Sequence, residues 1–581
     1  MPKSEKNVRK AYIYSSTAPS AGQEKRFNRF LTEKYGEGIA LKWIEEPSLD
    51  KGFRLEVGSQ IYDWSVEGRF EQLRSELSKL GGSGDSVVPL LRDAAREWVP
   101  KAVAEERGTV VSVGDGIANV SGLEHATYGE ILLFEDGVRG MVQNLGEELV
   151  GCILFGDDEE VSEGSVVRRT GKTAGVPVGR GLLGRVVNAL GAPVDGEGPI
   201  EAEGYNAIES PAPGIIDRQP VNEPIKTGIL AIDSMFPIGR GQRELIIGDR
   251  QTGKTAIALD TIINQKDSGV ICIYVAIGQK ASSVAQLVNN LKKHGAMDYT
   301  VVVNASAGEP APFIYLAPYA GCAMGEFFMN MGKDVLIVYD DLSKHAVSYR
   351  ALSLLLERAP GREAYPGDVF YLHSRLLERS AHLSDERGGG SMTALPIVET
   401  QAGDISAYIP TNVISITDGQ IFLESELFFS GQRPAVNVGL SVSRVGSAAQ
   451  TKAMKKVSGT LRLELAQYRE MEVFTQFASD LDDTVRSQLN FGAGLTAMLR
   501  QPQYSPRSTH EQVIILAAAL DHAFQNVSVK DIKSVIDALL KYFAENRATL
   551  CDSIDSTGQL SDEEYADIKK TAKKFVDSLN G

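Results

Sequence analysis

The stretch ELIIGDRQTGKTAIALD, from Glu244 to Asp260, decides the fold of the central part of this chain. Within it, Gly248–Thr255 fits the pattern G-x-x-x-x-G-K-[ST], between the β-like run ELIIG and the helix-forming run TAIALDTIINQ. Such a loop forms an anion site, because its backbone N–H groups and the helix N-terminus point at the same place. The stretch therefore predicts a P-loop nucleotide-binding domain with a parallel α/β sheet.

The residues of the loop have expected parts in holding ATP or ADP with Mg²⁺. Lys254 should reach the terminal phosphates, and the Thr255 hydroxyl should ligate the metal. The buried run DVLIVYDD ends at Asp340, and a carboxylate at the tip of a strand beside the loop can hold the water shell of Mg²⁺. The predicted nucleotide contacts are Gly248, Asp249, Arg250, Gln251, Thr252, Gly253, Lys254 and Thr255, and the predicted metal-side residues are Thr255 and Asp340.

Hydrolysis also needs a group that orients or deprotonates the attacking water. In domains of this class, a glutamate at the end of the strand after the phosphate-loop helix commonly serves. Here that strand ends in YVAIGQK, which puts Gln279 at this place. An amide can hydrogen-bond to water but cannot accept its proton at neutral pH. The sequence predicts nucleotide binding without turnover, unless Gln279 only ends the strand and has no part in the site.

A second GKT lies upstream, at Gly171–Thr173 in VVRRTGKTAG. Position 166 is a valine where the pattern needs its first glycine, and β-like sequence comes before it. We interpret this copy as a loop between domains and not as a phosphate site.

The chain of 581 residues is too long for one hydrophobic core, and the pattern of apolar residues and glycines changes along its length. Short β-runs broken by glycine indicate an antiparallel barrel or sandwich, and the buried runs RELIIG, GVICIYVAIG, YTVVVNAS, DVLIVYDD and NVISITDG alternate with helices, which predicts a parallel sheet. The predicted parts are a small module at 1–80, a linker and helix at 81–106, the barrel at 107–173, the nucleotide-binding domain at 174–447 and a helical domain at 448–581.

Charge and cysteine usage limit the classes of partner. The net charge of −16 argues against nucleic acid, because phosphate binding needs a basic face. The four cysteines form no CxxC pair, which indicates reduced thiols in a cytoplasm. We find neither an apolar segment at the N-terminus nor a run of eighteen apolar residues, so we expect the chain to reach a membrane only through partners.

From about Arg107 to Gly581 the chain resembles the alpha subunits of F-type ATP synthases. The likeness lies in VGDGIANVSGL, PGIIDRQPVNEPIKTGILAIDSMFPIGRGQRELIIGDRQTGKT, YVAIGQK, YDDLSKHAVSYRALSLLLERAPGREAYPGDVFYLHSRLLER, ISITDGQIFLESELFFSGQRPAVNVGLSVSRVGSAAQ and QYSP. The resemblance implies a β-barrel, a P-loop (RecA-like) domain and a C-terminal helical domain, in a ring that alternates with catalytic beta subunits around a rotating gamma stalk. It also implies a MgATP site that is not turned over, on the cytoplasmic side of a bacterial membrane, in contact with it only through the ion-translocating sector.

The same resemblance implies roles for single residues outside the loop. Arg433, Gln501 and Gln503 match residues near the bound nucleotide, although Pro502 stands where a small residue is commoner. Arg444 in SVSRVGSAAQ matches an arginine that the family inserts into the catalytic site of the neighbouring beta subunit. A guanidinium supplied across an interface can stabilise the negative charge of a transferring phosphoryl group. Arg444 is therefore the expected catalytic contribution of this chain.

The first part of the chain resembles a different subunit of the same enzyme. The stretch PSLDKGFRLEVGSQIYDWSVEGRFEQL resembles the C-terminal domain of the delta subunit, and the likeness is carried by Gly52, Gly58, Asp63, Ser65, Gly68, Arg69 and Leu73. We expect a strand (KAYIYSS), a helix (SAGQEKRFNRFLTEKYG), two strands (IALKWIEEP and GFRLEVGSQIYDW) and a helix (SVEGRFEQLRSELSKL). The resemblance implies a module at 1–80 that binds a b-type subunit of the peripheral stalk, tethered by the flexible GGSGDS; the alternative is an extension without such a role.

Two functions remain open from the sequence. The first is a non-catalytic subunit of a rotary ATP synthase, and the second is a self-sufficient rotary-type or translocase ATPase with the same core fold. Gln279 discriminates between them, because a stand-alone motor needs a carboxylate there. The coupling ion, H⁺ or Na⁺, and the direction of the reaction depend on other subunits.

Overall fold

A computed structural model describes residues 10–36, 39–49, 51–66, 68–69, 104–156, 158–475 and 483–580. The chain folds as two compact units, Met1–Ala174 and Gly175–Gly581. The expected linker up to residue 103 and most of the helix expected after Ser65 lie outside the described residues. In the described ranges, no helix has the length and apolar character needed to cross a membrane.

The first unit begins with a small α/β module. It consists of β1 (Lys10–Ser15), α1 (Ala21–Tyr35), β2 (Ala40–Glu45), β3 (Arg54–Val57) and β4 (Gln60–Asp63). Strand β1 pairs parallel with β2 and antiparallel with β3, and Leu31 of α1 belongs to the same core as Ile13 and Leu55. The expected single strand GFRLEVGSQIYDW is wrong: it is a hairpin, because Gly58, at φ +61°, turns the chain between β3 and β4.

The rest of the first unit is a closed antiparallel barrel. Its strands are β5 (Ala104–Gly114), β6 (Ile117–Ser121), β7 (Glu130–Phe134), β8 (Arg139–Leu145), β9 (Leu149–Leu154) and β10 (Val166–Thr173). Pairing of β10 with both β7 and β5 closes the six strands, which confirms the barrel and rules out the sandwich. The upstream GKT is not a loop between domains, because it forms the irregular end of β10, where Thr173 pairs with Glu130.

The module and the barrel share one hydrogen-bonded sheet. Strand β4 pairs antiparallel with β5, with Gln60 opposite Glu106 and Tyr62 opposite Ala104. The Arg107 N–H also donates to the Ser59 carbonyl at 3.1 Å. The sheet therefore runs through ten strands, from β2 of the module to β10 of the barrel.

This pairing predicts a specific disulfide. We expect the variant Ile61→Cys/Glu105→Cys to cross-link under mild oxidation, because these positions are in register and antiparallel neighbours lie within disulfide reach. The four native cysteines are buried, and so is Ile61, so the engineered pair is favoured by its proximity and not by its exposure. Mass spectrometry of the oxidised full chain measures the yield. The control Ile61→Cys/Thr109→Cys is out of register by about 13 Å and should stay reduced; equal yields would contradict the pairing.

The second unit contains the expected parallel sheet. Its strands are β11 (Gly175–Val178), β12 (Val186–Asn188), β13 (Gly204–Ala207), β14 (Pro224–Ile225), β15 (Ile238–Gly239), β16 (Glu244–Gly248), β17 (Ile271–Gln279), β18 (Thr300–Ser306), β19 (Asp334–Asp340), β20 (Ser391–Glu399), β21 (Gly419–Leu423) and β22 (Val442–Ser443). The main sheet has the order β12-β18-β17-β19-β20-β16-β21-β22 and is parallel except for the pair β21–β22. All five residues of β16 are buried, so both of its faces are covered.

Helices accompany these strands. They are α2 (Leu230–Met235), α3 (Lys254–Ile263), α4 (Ala281–Lys293), α5 (Ala311–Asn330), α6 (Leu342–Leu355), α7 (Val369–Leu377), α8 (Tyr408–Ile416) and α9 (Ser425–Phe429). The run NVISITDG, expected as a strand, lies mainly in α8. Its buried Val413 and Ile416 continue a helical spacing from Ile409, and the strand begins only at Gly419.

The remainder of the second unit is helical, as predicted. Its helices are α10 (Lys452–Ser458), α11 (Leu461–Thr475), α12 (Asp483–Met498), α13 (Thr509–Leu520), α14 (Ile532–Asn546), α15 (Ala548–Thr557) and α16 (Asp562–Asn580). Helix α13 is the central one, because Val513–Ala519 is buried throughout and the helix contacts α10, α15 and α16.

Two buried histidines make this unit sensitive to acid. His345 of α6 and His373 of α7 have ring centroids 5.4 Å apart, and the His345 Nε2 bonds to the Tyr315 carbonyl at 3.1 Å. The rings of Tyr315 and Tyr319 on α5 pack beside His345, and Arg375 of α7 is the nearby cation. Burial lowers the pKa of both histidines, to about 4 for His373.

We expect this pair to make the stability of the chain fall with pH below about 6.5. The pKa values of the two histidines are lower in the folded state than in the unfolded state, so the unfolded state takes up protons first as the pH falls. Each histidine then lowers the free energy of unfolding by up to ~1.4 kcal/mol per pH unit. For His373 this decrease ends at about pH 4. Thermal melts at pH 7 and pH 5 measure the effect. The decrease in melting temperature from pH 7 to pH 5 should be smaller for the variant His373→Asn than for the native chain. An equal decrease in both would exclude His373 as a cause.

Candidate functional site

The phosphate loop lies where the sequence places it, between β16 and α3. It is reached at the carboxyl end of β16, which pairs with β20 and β21 in the sheet. A side chain at Gly248 would meet the Leu423 carbonyl at 2.5 Å, and Gly253 begins the helix at φ +96°. These two positions therefore need glycine, one for close approach and one for a left-handed backbone.

A cavity of about 530 Å³ opens over the loop, a volume typical of small-ligand sites. The predicted residues that line it are Gln251, Thr252, Gly253, Lys254, Thr255, Gln279, Asp340, Arg433, Gln501 and Gln503. The predicted residues Gly248, Asp249 and Arg250 belong to the loop but do not line the cavity, and neither does Arg444. Asp260, Glu399 and Phe428 also line it and were not predicted.

Lys254 supplies a positive charge at the floor of the cavity. Its ammonium donates to the carbonyls of Gly248 at 2.8 Å and of Asp249 at 2.5 Å. Burial lowers the pKa of Lys254, and the carboxylates of Glu399 and Asp340 oppose that effect. In the described part of the chain it has no ion-pair partner within 4.0 Å, so its charge is available to a phosphate.

Asp340 is the meeting point of the metal-side residues. Its Oδ2 accepts hydrogen bonds from the hydroxyls of Thr255 at 2.9 Å and of Tyr274 at 2.5 Å. Burial raises the pKa of Tyr274 well above its ordinary value, so the phenol stays a neutral donor. A hydroxyl and a carboxylate at the end of a strand are the oxygen ligands that Mg²⁺ prefers. Thr255 and Asp340 therefore fit a Mg²⁺ ion that also binds phosphate.

Gln279 is the last residue of β17 and also faces the cavity. Its amide donates to the Oδ1 of Asp340 at 3.0 Å and to the Asp340 carbonyl at 3.3 Å. These contacts favour a part for Gln279 in the site over the alternative that it only ends the strand. The group at the end of β17 that bonds to the metal-side carboxylate is therefore an amide, which takes no proton at neutral pH.

The opposite end of the cavity carries the other predicted residues, Arg433, Gln501 and Gln503. Gln501 is buried and its amide is committed within the chain: it accepts from the Leu230 N–H at 3.1 Å and donates to the carbonyls of Gly228 and Ser505 at 2.7 and 2.8 Å. It therefore shapes the wall, whereas Gln503 is exposed at the cavity.

Two residues of this end were missed because no local pattern marks them. Phe428 of α9 lies 4.3 Å below the Arg433 guanidinium, which gives the cavity a flat cation–π wall. Asp260, two turns along α3, accepts from the Tyr504 N–H at 2.8 Å and fixes the loop that carries Gln503. Burial raises the pKa of Asp260 to about 6.

Arg444 directly follows β22, at the outer edge of the main sheet. Its N–H donates to the Asp418 carbonyl at 2.9 Å, and its side chain is exposed. Within the described ranges, its guanidinium makes neither a hydrogen bond nor an ion pair. An exposed and unpaired guanidinium at a sheet edge is available to another molecule.

Comparisons with known families cover nearly the whole chain. Residues 103–171 match the ATP synthase alpha/beta family, beta-barrel domain; residues 228–443 match its nucleotide-binding domain; and residues 450–575 match the C terminal domain of the ATP synthase alpha/beta chain. Residues 1–77 match the ATP synthase delta (OSCP) subunit.

Individual proteins are similar over most of the length. The chain is 62% identical over 496 residues to ATP synthase subunit alpha of Caldanaerobacter subterraneus subsp. tengcongensis, which covers 85% of this chain and 98% of that protein. It is 59% identical over 494 residues to ATP synthase subunit alpha of Acetivibrio thermocellus, with 85% and 98% covered. It is also 59% identical over 491 residues to ATP synthase subunit alpha of Clostridium botulinum, with 84% and 97% covered.

Proposed function

Because this chain belongs to the ATP synthase alpha subunits and carries an ATP synthase delta (OSCP) domain at its N-terminus, we propose that its own site holds MgATP or MgADP without turning it over. The chain alternates with beta subunits in a hexameric ring around the gamma stalk and supplies Arg444 to the catalytic site of its beta neighbour. The ring serves coupled ATP synthesis or hydrolysis and ion transport on the cytoplasmic side of a bacterial membrane.

The observation that carries the proposal is the amide of Gln279. It bonds to Asp340 at the position where a turnover site needs a carboxylate. The other carboxylates that line the cavity do not replace it. Glu399 is paired with Arg250 at 3.1 Å, and Asp260 lies two turns from the metal-side residues on α3.

The chain's own residues divide the work of holding the nucleotide. Lys254 and the loop N–H groups take the phosphates, and Thr255 and Asp340 would hold Mg²⁺, which would neutralise phosphate charge. Phe428, Arg433 and Gln503 line the end that receives the base. Nothing in this set removes a proton from water, so the bound nucleotide persists and stabilises the chain as any tight ligand does.

The first test uses the purified full chain. We expect tight binding of MgATP with negligible hydrolysis, and turnover after addition of beta and gamma subunits. Calorimetry measures the binding, and phosphate release measures the turnover. Vigorous hydrolysis by the chain alone would contradict the proposal and support a self-sufficient ATPase.

The N-terminal module gives the ring a second attachment. We propose that residues 1–80 bind a b-type subunit of the peripheral stalk, on the support of the delta (OSCP) match at 1–77. A chain shortened to start at Ser86 should bind the isolated b-type subunit at least tenfold more weakly than the full chain. Equal affinity of the two chains would show that the module has no part in stalk binding.

A further inference from the structure

A buried carboxyl lies beside Arg444 and is not used by the nucleotide site. Glu244 is the first residue of β16, and its side chain is fully buried. In the sheet register, Glu244 pairs with Gly419 of β21, which in turn pairs with Ser443 of β22. This row across three strands ends one residue before Arg444.

The glycine in the middle of the row makes room for the carboxyl. A side chain at Gly419 would meet the two Glu244 oxygens at 2.5 and 2.9 Å and the Val442 carbonyl at 2.3 Å. Side chains of paired residues in a sheet point to the same face, so a residue with a Cβ here would block the Glu244 carboxyl from β22. The gap at Gly419 therefore leaves the Glu244 carboxyl open toward β22, the strand that Arg444 follows.

Gln242 connects the Glu244 carboxyl to the Ser443 hydroxyl, which precedes Arg444 and bonds to the chain just after it. Its Nε2 donates to the Glu244 Oε2 at 2.7 Å and to the Ser443 hydroxyl at 3.4 Å, and its Oε1 accepts from the Gly239 N–H at 2.8 Å. The Ser443 hydroxyl donates to the Pro237 carbonyl at 2.8 Å and accepts from the Gly446 N–H at 3.2 Å. One hydroxyl thus fixes the chain just before and just after Arg444.

The neighbouring residue Arg243 completes the support. Its backbone N–H and its guanidinium bond to the carboxylate of Asp418 at 2.9 to 3.0 Å, and the Asp418 carbonyl accepts the Arg444 N–H. The consecutive residues Gln242, Arg243 and Glu244, which lead into β16, therefore support the backbone of Arg444 from one segment of the chain.

The surroundings of Glu244 suit a neutral carboxyl that acts through hydrogen bonds. Its Oε1 is buried and has no hydrogen-bond partner in the described part of the chain. Burial, reinforced by the charge of Asp418, raises the pKa of Glu244 well above its ordinary value, although Gln242 and Arg444 oppose this. Burial therefore favours the protonated form of this carboxyl.

We propose that Glu244 is a positioning residue for Arg444, and that it acts with Gln242 and Ser443 to fix the backbone from which the guanidinium projects. The inference rests on the proposed function, because it concerns the residue that the chain gives to a neighbouring beta subunit. It gives the segment Gly241–Glu244, which precedes the phosphate loop, a role in positioning Arg444.

The test compares Glu244→Ala with Glu244→Gln in the full chain, reassembled with beta and gamma subunits. We expect alanine to lower kcat by about 10- to 100-fold, since a misplacement of about 1 Å costs up to ~10²-fold, with KM and the MgATP affinity of this chain unchanged. Glutamine keeps the shape and the hydrogen-bonding groups, so it should stay within about threefold of the native rate. Equal losses in the two variants would overturn the neutral role of Glu244.

A double-mutant cycle separates positioning from general damage. If Glu244 acts through Arg444, Glu244→Ala adds no further loss to a chain that already carries Arg444→Ala. The smaller change Ser443→Ala, with an expected loss of about fivefold, should show the same dependence and serves if Glu244→Ala does not fold. A further loss in the Arg444→Ala chain with either variant would overturn the inference.

The two possible failures give different results. If Arg444→Ala leaves turnover unchanged, the proposed function fails and the inference falls with it. If Arg444→Ala abolishes turnover while Glu244→Ala and Ser443→Ala keep the native kcat, the proposed function stands and this inference alone is wrong.

Discussion

Arg444→Ala is expected to lower the ATP turnover of a ring reassembled with beta and gamma subunits by about 10³- to 10⁵-fold, the range known for arginines supplied across an interface. The guanidinium is exposed at the edge of the main sheet and can stabilise the phosphoryl charge in a neighbouring site. It lines no part of the cavity of its own chain, so MgATP binding there should not change. Steady-state phosphate release and calorimetry on the same preparation measure both quantities.

Two further variants control this experiment. Arg29→Ala removes an arginine of the ordinary surface kind, paired with Glu33 on α1 and 81% exposed, and should leave turnover unchanged. Arg444→Lys keeps the charge but loses the planar fork, so we expect it to recover only part of the rate. Native turnover in Arg444→Ala would refute the role of this residue.

Lys254→Met is expected to weaken MgATP binding to the isolated chain by about 10²- to 10³-fold. Hydrogen bonds to charged groups contribute about 1.5–3 kcal/mol each, and the ammonium is placed to make more than one with the phosphates. Turnover by the beta subunits of a reassembled ring should fall far less, because this site is proposed to be non-catalytic. Calorimetric titration with MgATP gives the affinity.

The chain offers a matched control for this change. Lys172→Met alters the same TGKT sequence in β10, where the lysine is exposed and no helix follows. Its MgATP affinity should equal that of the native chain. If the two methionine variants lose affinity to the same extent, the assignment of the phosphate site to the downstream loop is wrong.

The sequence predicted best what depends on neighbouring residues. The loop at Gly248–Thr255 needs one strand, two glycines and one helix, and all of these are consecutive in the chain. Gln279 and Asp340 were predictable because the ends of parallel strands meet at one edge of a sheet. Their hydrogen bond at 3.0 Å brings together two positions that the sequence had given separate roles.

Features that depend on distant partners were beyond the sequence. The alternating pattern of residues 53–64 shows β-structure, but the turn at Gly58 and the pairing of β4 with β5 depend on which strands meet. The commitment of Gln501 to Leu230, Gly228 and Ser505 depends on backbone groups about 270 residues away as well as near ones. NVISITDG was misread because its three apolar residues, Val413, Ile414 and Ile416, suit a strand and a helix equally.

The shared sheet of module and barrel has a consequence for symmetry. Because β4 pairs with the first barrel strand of the same polypeptide, the module is a fixed part of the subunit and is repeated with it. In the alternating ring proposed above, every copy of this chain would carry the module, so modules would stand at every second position. A single peripheral stalk would bind the module of only one copy of the chain. The copies would then have identical sequences but would no longer be equivalent, because only one of them would have the stalk bound.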